Sequence, residues 1–283
     1  MLVNLAEILK IAEQEKIAIG MFNTTGFDSL QAVIAAAEEL NEPVIISHAE
    51  VHNVYIDISF VGPAMIAAAK NAKVPVCVHL DHGTDLNMIE HALRLGFTSV
   101  MIDASALDYE ENIAVTKKVV DMAHALGVSV EAELGRLVTA EAGSKEEKLS
   151  LRPEDYYTDP AQAKDFCEKT NVDALAIAFG TAHGFYTAQP KLDFDVVKNV
   201  AEATGLPLVM HGGSGVDEEG FKASIRNGIR KINYYSYMSK AGYEAAKSVI
   251  ESGKTSYLHD VAYAATQAMR EDVKKAISIF ANK

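Results

Sequence analysis

The sequence predicts a (β/α)8 barrel, an α/β fold, from two observations. Eight short segments rich in β-branched and apolar residues recur along the 283-residue chain. Between them lie stretches whose apolar residues are spaced three and four apart, which is the period of an amphipathic helix. Strand and helix alternating eight times is typical of a barrel of parallel strands. No linker or low-complexity segment divides the chain, so we expect a single domain over residues 1–283.

Each apolar segment predicts one buried parallel strand. In chain order the predicted strands are 17–23, 43–49, 75–81, 99–104, 128–135, 174–180, 207–213 and 231–236. Helical patterns follow them, and the clearest are 29–40, 88–96, 112–127 and 160–170. Glycine follows several helices, as is common at helix C-termini, at Gly96, Gly127, Gly205 and Gly228. From about residue 237 onward the pattern predicts extra C-terminal helices that close the barrel.

A doubly wound open sheet is the main alternative fold. Such a sheet does not normally need eight evenly spaced strands, and the chain has no glycine-rich dinucleotide loop after its first predicted strand. The sequence therefore favours the barrel.

Composition and charge exclude several classes of function. The net charge of -13 argues against a nucleic-acid partner. Two cysteines, Cys77 and Cys167, give no disulfide framework and favour a reduced, cytoplasmic setting. The N-terminal segment lacks a signal-peptide pattern, and no apolar stretch reaches the roughly 18 residues of a membrane span.

Three histidines stand at the ends of three separate apolar runs. They are His82 in VCVHLDHG, His183 in LAIAFGTAHG and His211 in LPLVMHGGSG. Because parallel strands end at the same edge of a sheet, these side chains are expected to meet. Three neutral imidazoles form a metal site that leaves positions open for substrate, which is the catalytic pattern. Each histidine alone could be a hydrogen-bonded residue at a strand end, but glycine follows all three and permits a sharp turn there.

Asp81 precedes His82 and is the candidate for proton transfer. Neighbours on a regular strand point to opposite faces, whereas a turning chain at the strand's end lets both line one cavity. A carboxylate beside a divalent metal stays ionised and can move a proton to or from a bound oxygen. A helix cap is the alternative role, but Asp85 is better placed to cap the next helix. His79 is expected on the same face of the strand as Asp81, supporting the site from behind.

Three further carboxylates, Asp103, Glu131 and Glu133, lie near the ends of the fourth and fifth predicted strands. Inward-facing carboxylates are costly without a cation or a partner. Two interpretations stay open: a salt-bridge layer at the barrel rim, or a second or alternative metal position.

A phosphate-binding corner is predicted after the last two strands, where many barrels hold a phosphate group. The residues that could form it offer backbone amides, hydroxyls and one side-chain amide, and they are Gly212, Gly213, Ser214, Asn233 and Ser236. The longest polar interruption, residues 136–160, begins at the same end of the barrel. A connection of that length predicts a mobile active-site loop, with a surface excursion carrying its own short helix as the alternative.

With these motifs in place, the chain resembles the class II, zinc-dependent ketose-phosphate aldolases, which include the fructose- and tagatose-bisphosphate aldolases. The similarity runs over nearly the whole chain through ordered blocks: FN at 22–23, HLDHG, MIDAS followed by EENI, VEAELG, YTDP, GTAHGFY, KLDF, HGGSG and KIN. The resemblance implies a barrel lyase that cleaves a ketose 1-phosphate or ketose bisphosphate reversibly to dihydroxyacetone phosphate and an aldehyde. It also implies a homodimer or homotetramer.

The resemblance assigns roles to individual residues. It implies that zinc binds His82, His183 and His211, and that Asp81 is the acid/base serving the aldehyde oxygen. Glu141 follows the ELG motif without gaps, at the position of the family's acid/base for the donor carbon. Asp103 and Glu133 match a second or alternative position for a divalent or monovalent cation. The residues that would hold dihydroxyacetone phosphate are Gly184, Gly212, Ser214, Asn233 and Ser236.

The chain departs from the family pattern around the predicted mouth of the barrel. Thr187 stands after HGxY, where bisphosphate-specific members commonly carry lysine, and it removes one cation near the phosphate. A branch acting on longer or acidic sugar 1-phosphates is similar in having threonine there. The other departures are Ala49 (with His48 and His52 nearby), Ala106, Val138–Thr139 and Tyr235.

These departures predict that fructose 1,6-bisphosphate is a poor substrate and that an aldehyde without a terminal phosphate is preferred. Either Lys231 or Arg230 would replace the missing cation, or backbone amides would hold the phosphate alone. A fructose- or tagatose-1,6-bisphosphate aldolase proper is the alternative within the family. Outside it, the alternatives are a zinc-dependent barrel hydrolase and a non-catalytic binding protein. Such a hydrolase would more often carry an HxH pair on its first strand, which here ends in FN.

Overall fold

The structure is a computed structural model that describes residues 1–135, 138–140, 156–185 and 190–283, with the backbone alone at 138–140. In these residues the strands are β1 Leu2–Val3, β2 Ile19–Asn23, β3 Val44–Ala49, β4 Val76–Gly83, β5 Ser99–Ile102, β6 Ser129–Leu134, β7 Val138–Ala140, β8 Ala174–Ile177, β9 Ala182–Gly184, β10 Leu208–Met210 and β11 Ile229–Asn233. The α-helices are α1 Leu5–Glu15, α2 Phe27–Leu40, α3 Ile58–Asn71, α4 Leu86–Leu95, α5 Tyr109–His124, α6 Pro160–Thr170, α7 Phe194–Thr204, α8 Glu218–Asn227, α9 Ser236–Ser252 and α10 Leu258–Phe280.

Eight parallel strands close into a barrel, which confirms the predicted fold. The order of pairing is β4-β3-β2-β11-β10-β8-β6-β5, and β5 pairs back with β4. The eight strands coincide with the eight predicted apolar segments, although β4 continues past the predicted end to Gly83 and β8 already ends at Ile177. Two C-terminal helices, α9 and α10, follow the last barrel strand, where one would complete the eight; they pack against each other, and α10 also packs on α2.

The amino-terminal end of the barrel is closed by α1. Leu5, Ile8 and Leu9 of this helix are fully buried in one cluster with inward-facing strand residues such as Met21 and Ile45. The helix begins with a capping box in which Asn4 and Glu7 accept from each other's backbone amides, at 2.8 Å in both cases. Because this end is plugged by apolar side chains, a site inside the barrel can open only at the carboxyl ends of the strands.

The predicted loop 136–160 lies partly outside the described residues. Its described backbone at β7 pairs in parallel with β9, with Thr139 opposite His183 and Ala140 opposite Gly184. Among the described residues, no helix combines the length and the apolar character that crossing a membrane requires.

Candidate active site

A cavity of about 700 Å³ opens at the carboxyl ends of the barrel strands. Its wall contains most of the residues that the sequence predicted for the site: Asp81, His82, Asp103, Glu133, His183, Gly184, Gly212, Ser214, Asn233 and Ser236. His211 is fully buried immediately behind this wall. The topology thus gathers side chains from six barrel strands or the turns that follow them.

The three histidines meet at one point. His82 Nε2 lies 2.9 Å from His211 Nδ1, and the His183 ring centroid is 4.9 Å from that of His82. Ligand atoms of all three lie within 4.8 Å of one another. The outer nitrogens of two rings are held by carboxylates, His82 Nδ1 by Asp103 Oδ2 at 2.8 Å and His211 Nε2 by Glu131 Oε1 at 2.9 Å. Carboxylates in this position fix the ring orientation and leave the inner nitrogen to face a metal.

The electrostatics of this cluster fit a bound cation. Burial, followed by the charges of His82 and His211, lowers the pKa of His183 to about 3, and burial also lowers the pKa of His211. Burial opposes a charge on His82 as well, but Asp81 and the hydrogen bond to Asp103 outweigh it and raise the pKa of His82 to about 9. The surrounding carboxylates thus favour positive charge here. A divalent metal on three imidazole nitrogens would supply positive charge with the rings neutral, and zinc is well suited to nitrogen ligands.

A distortion at the end of β4 brings Asp81 and His82 into the same cavity. His82 adopts a left-handed backbone conformation with φ of 47°, and the pairing of β4 with β5 shifts register between Leu80 and Gly83. The bulge breaks the alternation of a regular strand, so both neighbouring side chains line the cavity.

Two asparagine amides hold the Asp81 carboxylate. Asn23 Nδ2 donates to Oδ2 at 2.8 Å, and Asn233 Nδ2 donates to Oδ1 at 3.3 Å. Burial favours the neutral acid, but His82, His211 and Lys231 lower the pKa of Asp81 well below its ordinary range. Asp81 is therefore a carboxylate at neutral pH and is placed to accept a proton from a group in the cavity.

Glu50, on the turn after β3, has a structural role that the sequence analysis missed. Its carboxylate accepts from the backbone N–H of Thr84 at 2.7 Å, from the Thr84 hydroxyl at 2.8 Å and from the Asp85 N–H at 3.2 Å. This clamp fixes the turn directly after Asp81 and His82. Asp85 caps α4 by accepting from Asn87 N–H at 2.8 Å, which is the role expected of it.

The two interpretations of the strand-end carboxylates apply to different residues. Glu131 lies in the barrel interior and pairs with Lys231, which fits a salt-bridge layer. Burial opposes ionisation of Glu131, but Lys231 and His211 lower its pKa to about 2. Glu133 and Asp103 line the cavity and form with His82 a second group that could hold an ion. Burial, followed by the charge of Asp103, raises the pKa of Glu133 to about 8.

The predicted phosphate corner lies beside the histidines. Ser214 Oγ accepts from the Tyr235 N–H at 3.1 Å, which leaves the Ser214 hydroxyl proton to be donated. Gly213 does not line the cavity, and its N–H already donates to Asn233 O at 3.0 Å. Ser236 begins α9, and no side chain caps the first turn of this helix.

Neither cation proposed to replace the missing lysine lines the cavity. Lys231 is fully buried with its Nζ 2.9 Å from Glu131 Oε2. Arg230, on the opposite side of the same strand, donates from Nε to Glu13 Oε2 at 2.5 Å. Of the two alternatives for the missing cation, the contacts of Lys231 and Arg230 do not support the first, and phosphate held by backbone amides stays a prediction.

The family model for class-II fructose-bisphosphate aldolase matches residues 3–283. The chain belongs to this family. The protein YdjI of Escherichia coli K12 is 40% identical over 94% of this chain and 90% of the relative. The fructose-bisphosphate aldolase of Staphylococcus aureus Mu50 is 38% identical over 99% of this chain and 97% of that protein. The crystal structure of the YdjI aldolase has a TM-score of 0.85 at 36% identity and covers 99% of this chain and 97% of its own.

Membership of the class II aldolase family confirms the resemblance found in the sequence. The protein is a lyase of the aldolase type, and the hydrolase and non-catalytic alternatives lose their support.

Several positions at which this aldolase departs from its family pattern line the cavity. They are Ala49, Ala106 and Tyr235, together with the nearby His52, and the His52 and Tyr235 rings lie 4.9 Å apart. His48 is buried, and burial, followed by the nearby His52, lowers the pKa of His48 to about 4.

Glu141 and Thr187 lie outside the described residues. Of the groups that shape the described site, the sequence analysis missed Glu50 as a clamp and treated Asn23 only as part of a family block. Asn23 had one readable signal, because it ends the first barrel strand at the edge where the histidines also lie.

Proposed function

We propose that this aldolase uses zinc to cleave a ketose 1-phosphate or ketose bisphosphate reversibly into dihydroxyacetone phosphate and an aldehyde. The observation that carries the proposal is the meeting of three imidazoles and the Asp81 carboxylate at one cavity at the barrel mouth. The resident ion would be held by His82, His183 and His211. A zinc ion bound there supplies Lewis-acid chemistry, polarising the donor's carbonyl and stabilising negative charge on its oxygens without a lysine Schiff base. Asp103 and Glu133 offer a second cation position.

Asp81 is the proton-transfer group for the aldehyde half. In cleavage its carboxylate accepts the proton of the hydroxyl group on the carbon that becomes the aldehyde carbon. In condensation Asp81 returns that proton to the new alkoxide. The amides of Asn23 and Asn233 fix its two oxygens, so one lone-pair direction on each remains for the substrate.

Glu141 is the acid/base at the donor carbon. The described backbone reaches Ala140, one residue before Glu141, and Ala140 pairs there with Gly184 directly after the candidate ligand His183. This register supports the assignment, because the described residues 138–140 pair with the strand that carries His183, beside which a carboxylate could remove a proton from a bound donor.

Neutral donors and a helix terminus hold the phosphate of dihydroxyacetone phosphate. The residues that contribute are Gly184, Gly212, Ser214, Asn233 and Ser236. No side chain caps the first turn of the 17-residue helix α9, and Ser236 at its start lines the cavity, so the first backbone amides would donate to a phosphate there. A helix N-terminus favours a phosphate group through these amides and through the helix dipole.

The aldehyde that fits this cavity lacks a terminal phosphate, and a sugar acid is one candidate. In the described residues, neither Lys231 nor Arg230 supplies the cation that a second phosphate needs. Such a charged contact is worth roughly 1.5–3 kcal/mol. The rings of His52 and Tyr235 narrow the cavity where the far end of the aldehyde would lie.

The test is to incubate zinc-loaded protein with dihydroxyacetone phosphate and a panel of phosphorylated, neutral and acidic aldehydes. We expect condensation products in the loaded protein and none after chelation. Alanine at each of the three histidines should remove both metal and activity, and retention of both would contradict the metal assignment. Matched kinetics with ketose 1-phosphates and 1,6-bisphosphates then decide the substrate. A clear preference for the bisphosphate would make this an ordinary fructose-bisphosphate aldolase.

The cytoplasm is the compartment that fits the two thiols. Burial raises the pKa of both Cys77 and Cys167 to about 12, so neither is a reactive thiolate. A homodimer or homotetramer is the assembly we expect, because large apolar side chains stay exposed on α3 and the turn before it, at Val51, Val54, Tyr55 and Phe60. Light scattering of the purified protein would measure the assembly.

A further inference from the structure

A lysine lies fully buried inside the barrel, behind the active-site cavity. Lys231 Nζ is 2.9 Å from Glu131 Oε2, 3.2 Å from Glu131 Oε1 and 2.7 Å from Asn233 Oδ1. Neither Lys231 nor Glu131 lines the cavity. A buried charge pair of this kind is retained at an energetic cost, because desolvation offsets much of the attraction between the charges. An apolar pair would fill the same space, so the pair invites a functional explanation.

On one side, the Lys231–Glu131 pair contacts a candidate metal ligand. Glu131 Oε1 accepts from His211 Nε2 at 2.9 Å, and both side chains have no exposed surface. Because the Glu131 carboxylate can only accept, the ring hydrogen of His211 is on Nε2, which leaves the Nδ1 lone pair for a metal. Lys231 contacts both oxygens of the same carboxylate, so it fixes the plane in which Glu131 meets the histidine.

On the other side, Lys231 contacts Asn233, a residue of the predicted substrate site. An ammonium group carries only donors, so the Asn233 atom 2.7 Å from Lys231 Nζ has to be the amide oxygen. The Asn233 amide nitrogen is thereby turned toward Asp81 Oδ1, at 3.3 Å. The ionised Asp81 carboxylate only accepts, so Lys231 and Asp81 favour the same orientation of the amide. Without the lysine the amide oxygen would lose its ammonium partner, and the Asn233 side chain would be held at its nitrogen end alone.

We propose that Lys231 is a positioning residue that sets two groups of the reaction at once: the ring of His211 through Glu131, and the amide of Asn233 directly. The inference rests on the proposed function, since it assumes that His211 binds zinc and that Asn233 binds the donor substrate. Lys231 itself would contact neither the metal nor the substrate.

The experiment compares Lys231→Met, which keeps the chain length and removes the charge, with the matched control Arg230→Met. Arg230 is the neighbouring residue on β11, is also nearly buried and pairs with Glu13, but it faces away from the site. Zinc affinity is measured by competition with a chelator, and binding of dihydroxyacetone phosphate is measured by calorimetry at saturating zinc. Loss of a group behind a metal ligand typically weakens metal binding by about 10- to 100-fold.

We expect Lys231→Met to weaken zinc binding within that range and to weaken dihydroxyacetone phosphate binding at saturating zinc, while Arg230→Met changes neither. If Lys231 acts through Asn233, then Lys231→Met should add little to the substrate defect of Asn233→Ala in the double variant. Wild-type affinities in Lys231→Met, or fully additive defects in the double variant, would overturn the proposal.

Two further comparisons keep the outcomes distinct. Should Lys231→Met fail to fold, the pair Lys231→Met with Glu131→Gln removes both buried charges together and keeps the shape of the carboxylate side chain. In that double variant the binding of dihydroxyacetone phosphate should stay weaker than in the wild type. Restored substrate affinity would overturn the claim that Lys231 orients Asn233. If wild-type protein neither binds dihydroxyacetone phosphate nor condenses it with any aldehyde, the proposed function fails, whatever the behaviour of the variants.

Discussion

Gly212 offers the sharpest test of how the fold holds the metal site. The residue follows His211 and has φ of 65°. A Cβ atom at this position would lie 2.2 Å from the carbonyl oxygen of Ala182, on the strand that carries His183. The turn after β10 therefore needs glycine for two reasons, the left-handed backbone and the close approach of β9. We predict that Gly212→Ala displaces His183 from the other two histidines.

The size of the effect follows from these distances. An ordinary contact begins at about 3.4 Å, so a separation of 2.2 Å forces the backbone of β9 to move by about 1 Å. A misplacement of that size at a catalytic group costs on the order of 10²-fold in rate. The left-handed conformation adds roughly 1–2 kcal/mol of strain for a residue with a Cβ atom. Gly212→Ala should therefore lose both folding stability and zinc affinity.

Gly205→Ala is the matched control. Gly205 has the same φ of 65° at the C-terminus of α7, but a Cβ atom there meets nothing within 4 Å. In urea unfolding of the metal-free protein, Gly205→Ala should lower the free energy of unfolding only by the cost of the left-handed backbone. Its zinc affinity and kcat/KM should match those of the wild type. If Gly212→Ala behaved like Gly205→Ala in zinc competition and kinetics, the close approach of β9 would not be what orders His183.

Three other predictions concern single side chains. Asp81→Ala should lower turnover by about 10²-fold or more with zinc content and circular dichroism unchanged; a variant that unfolds would indicate a structural role instead. Glu141→Gln should slow proton exchange at the donor carbon, followed by NMR in deuterated buffer, more than it weakens binding of dihydroxyacetone phosphate, and equal exchange rates would move the role to another residue. His48 has a pKa lowered from 6.5 to about 4 by folding, so the unfolded chain gains a proton first as the pH falls. His48 should contribute about 3 kcal/mol of the stability lost between pH 6.5 and pH 4, and His48→Leu should remove that share from the denaturation profile. The groups around His48 that titrate or carry charge are His52, Asp57 and Asp81, and a slope that His48→Leu leaves unchanged would assign the loss to other histidines with a lowered pKa, such as His79 and His183.

Much of the fold was readable because its signals are local. Strands β2 to β6, β8, β10 and β11 each coincide with an apolar run, and a helix pattern or a turn residue separates each from the next. The convergence of His82, His183 and His211 could also be anticipated, since parallel strands of one barrel deliver their ends to a common edge.

The rest depended on contacts between distant residues. Arg230 and Lys231 are adjacent cations in one strand, and only the closed barrel decides that the first faces outward and the second inward. The sequence predicted a turn at the end of this strand but not that His82 itself, rather than the glycine after it, would be left-handed, because that conformation is a local cost that the surrounding pairing imposes. Glu50 reads as a surface acid until β3 and β4 are placed side by side.

The bulge at the end of β4 also has a consequence for motion. Asp81 and His82 are consecutive on one backbone, whereas His183 and His211 hang from other strands. A rigid displacement of β4 would therefore carry the proton-transfer carboxylate and its neighbouring imidazole by the same vector. Movement of the barrel strands relative to one another would change the distances among the three imidazoles before it changed the distance between Asp81 and His82. Fluctuations that weaken the binding of a cation would thus leave the relative position of Asp81 and His82 unchanged.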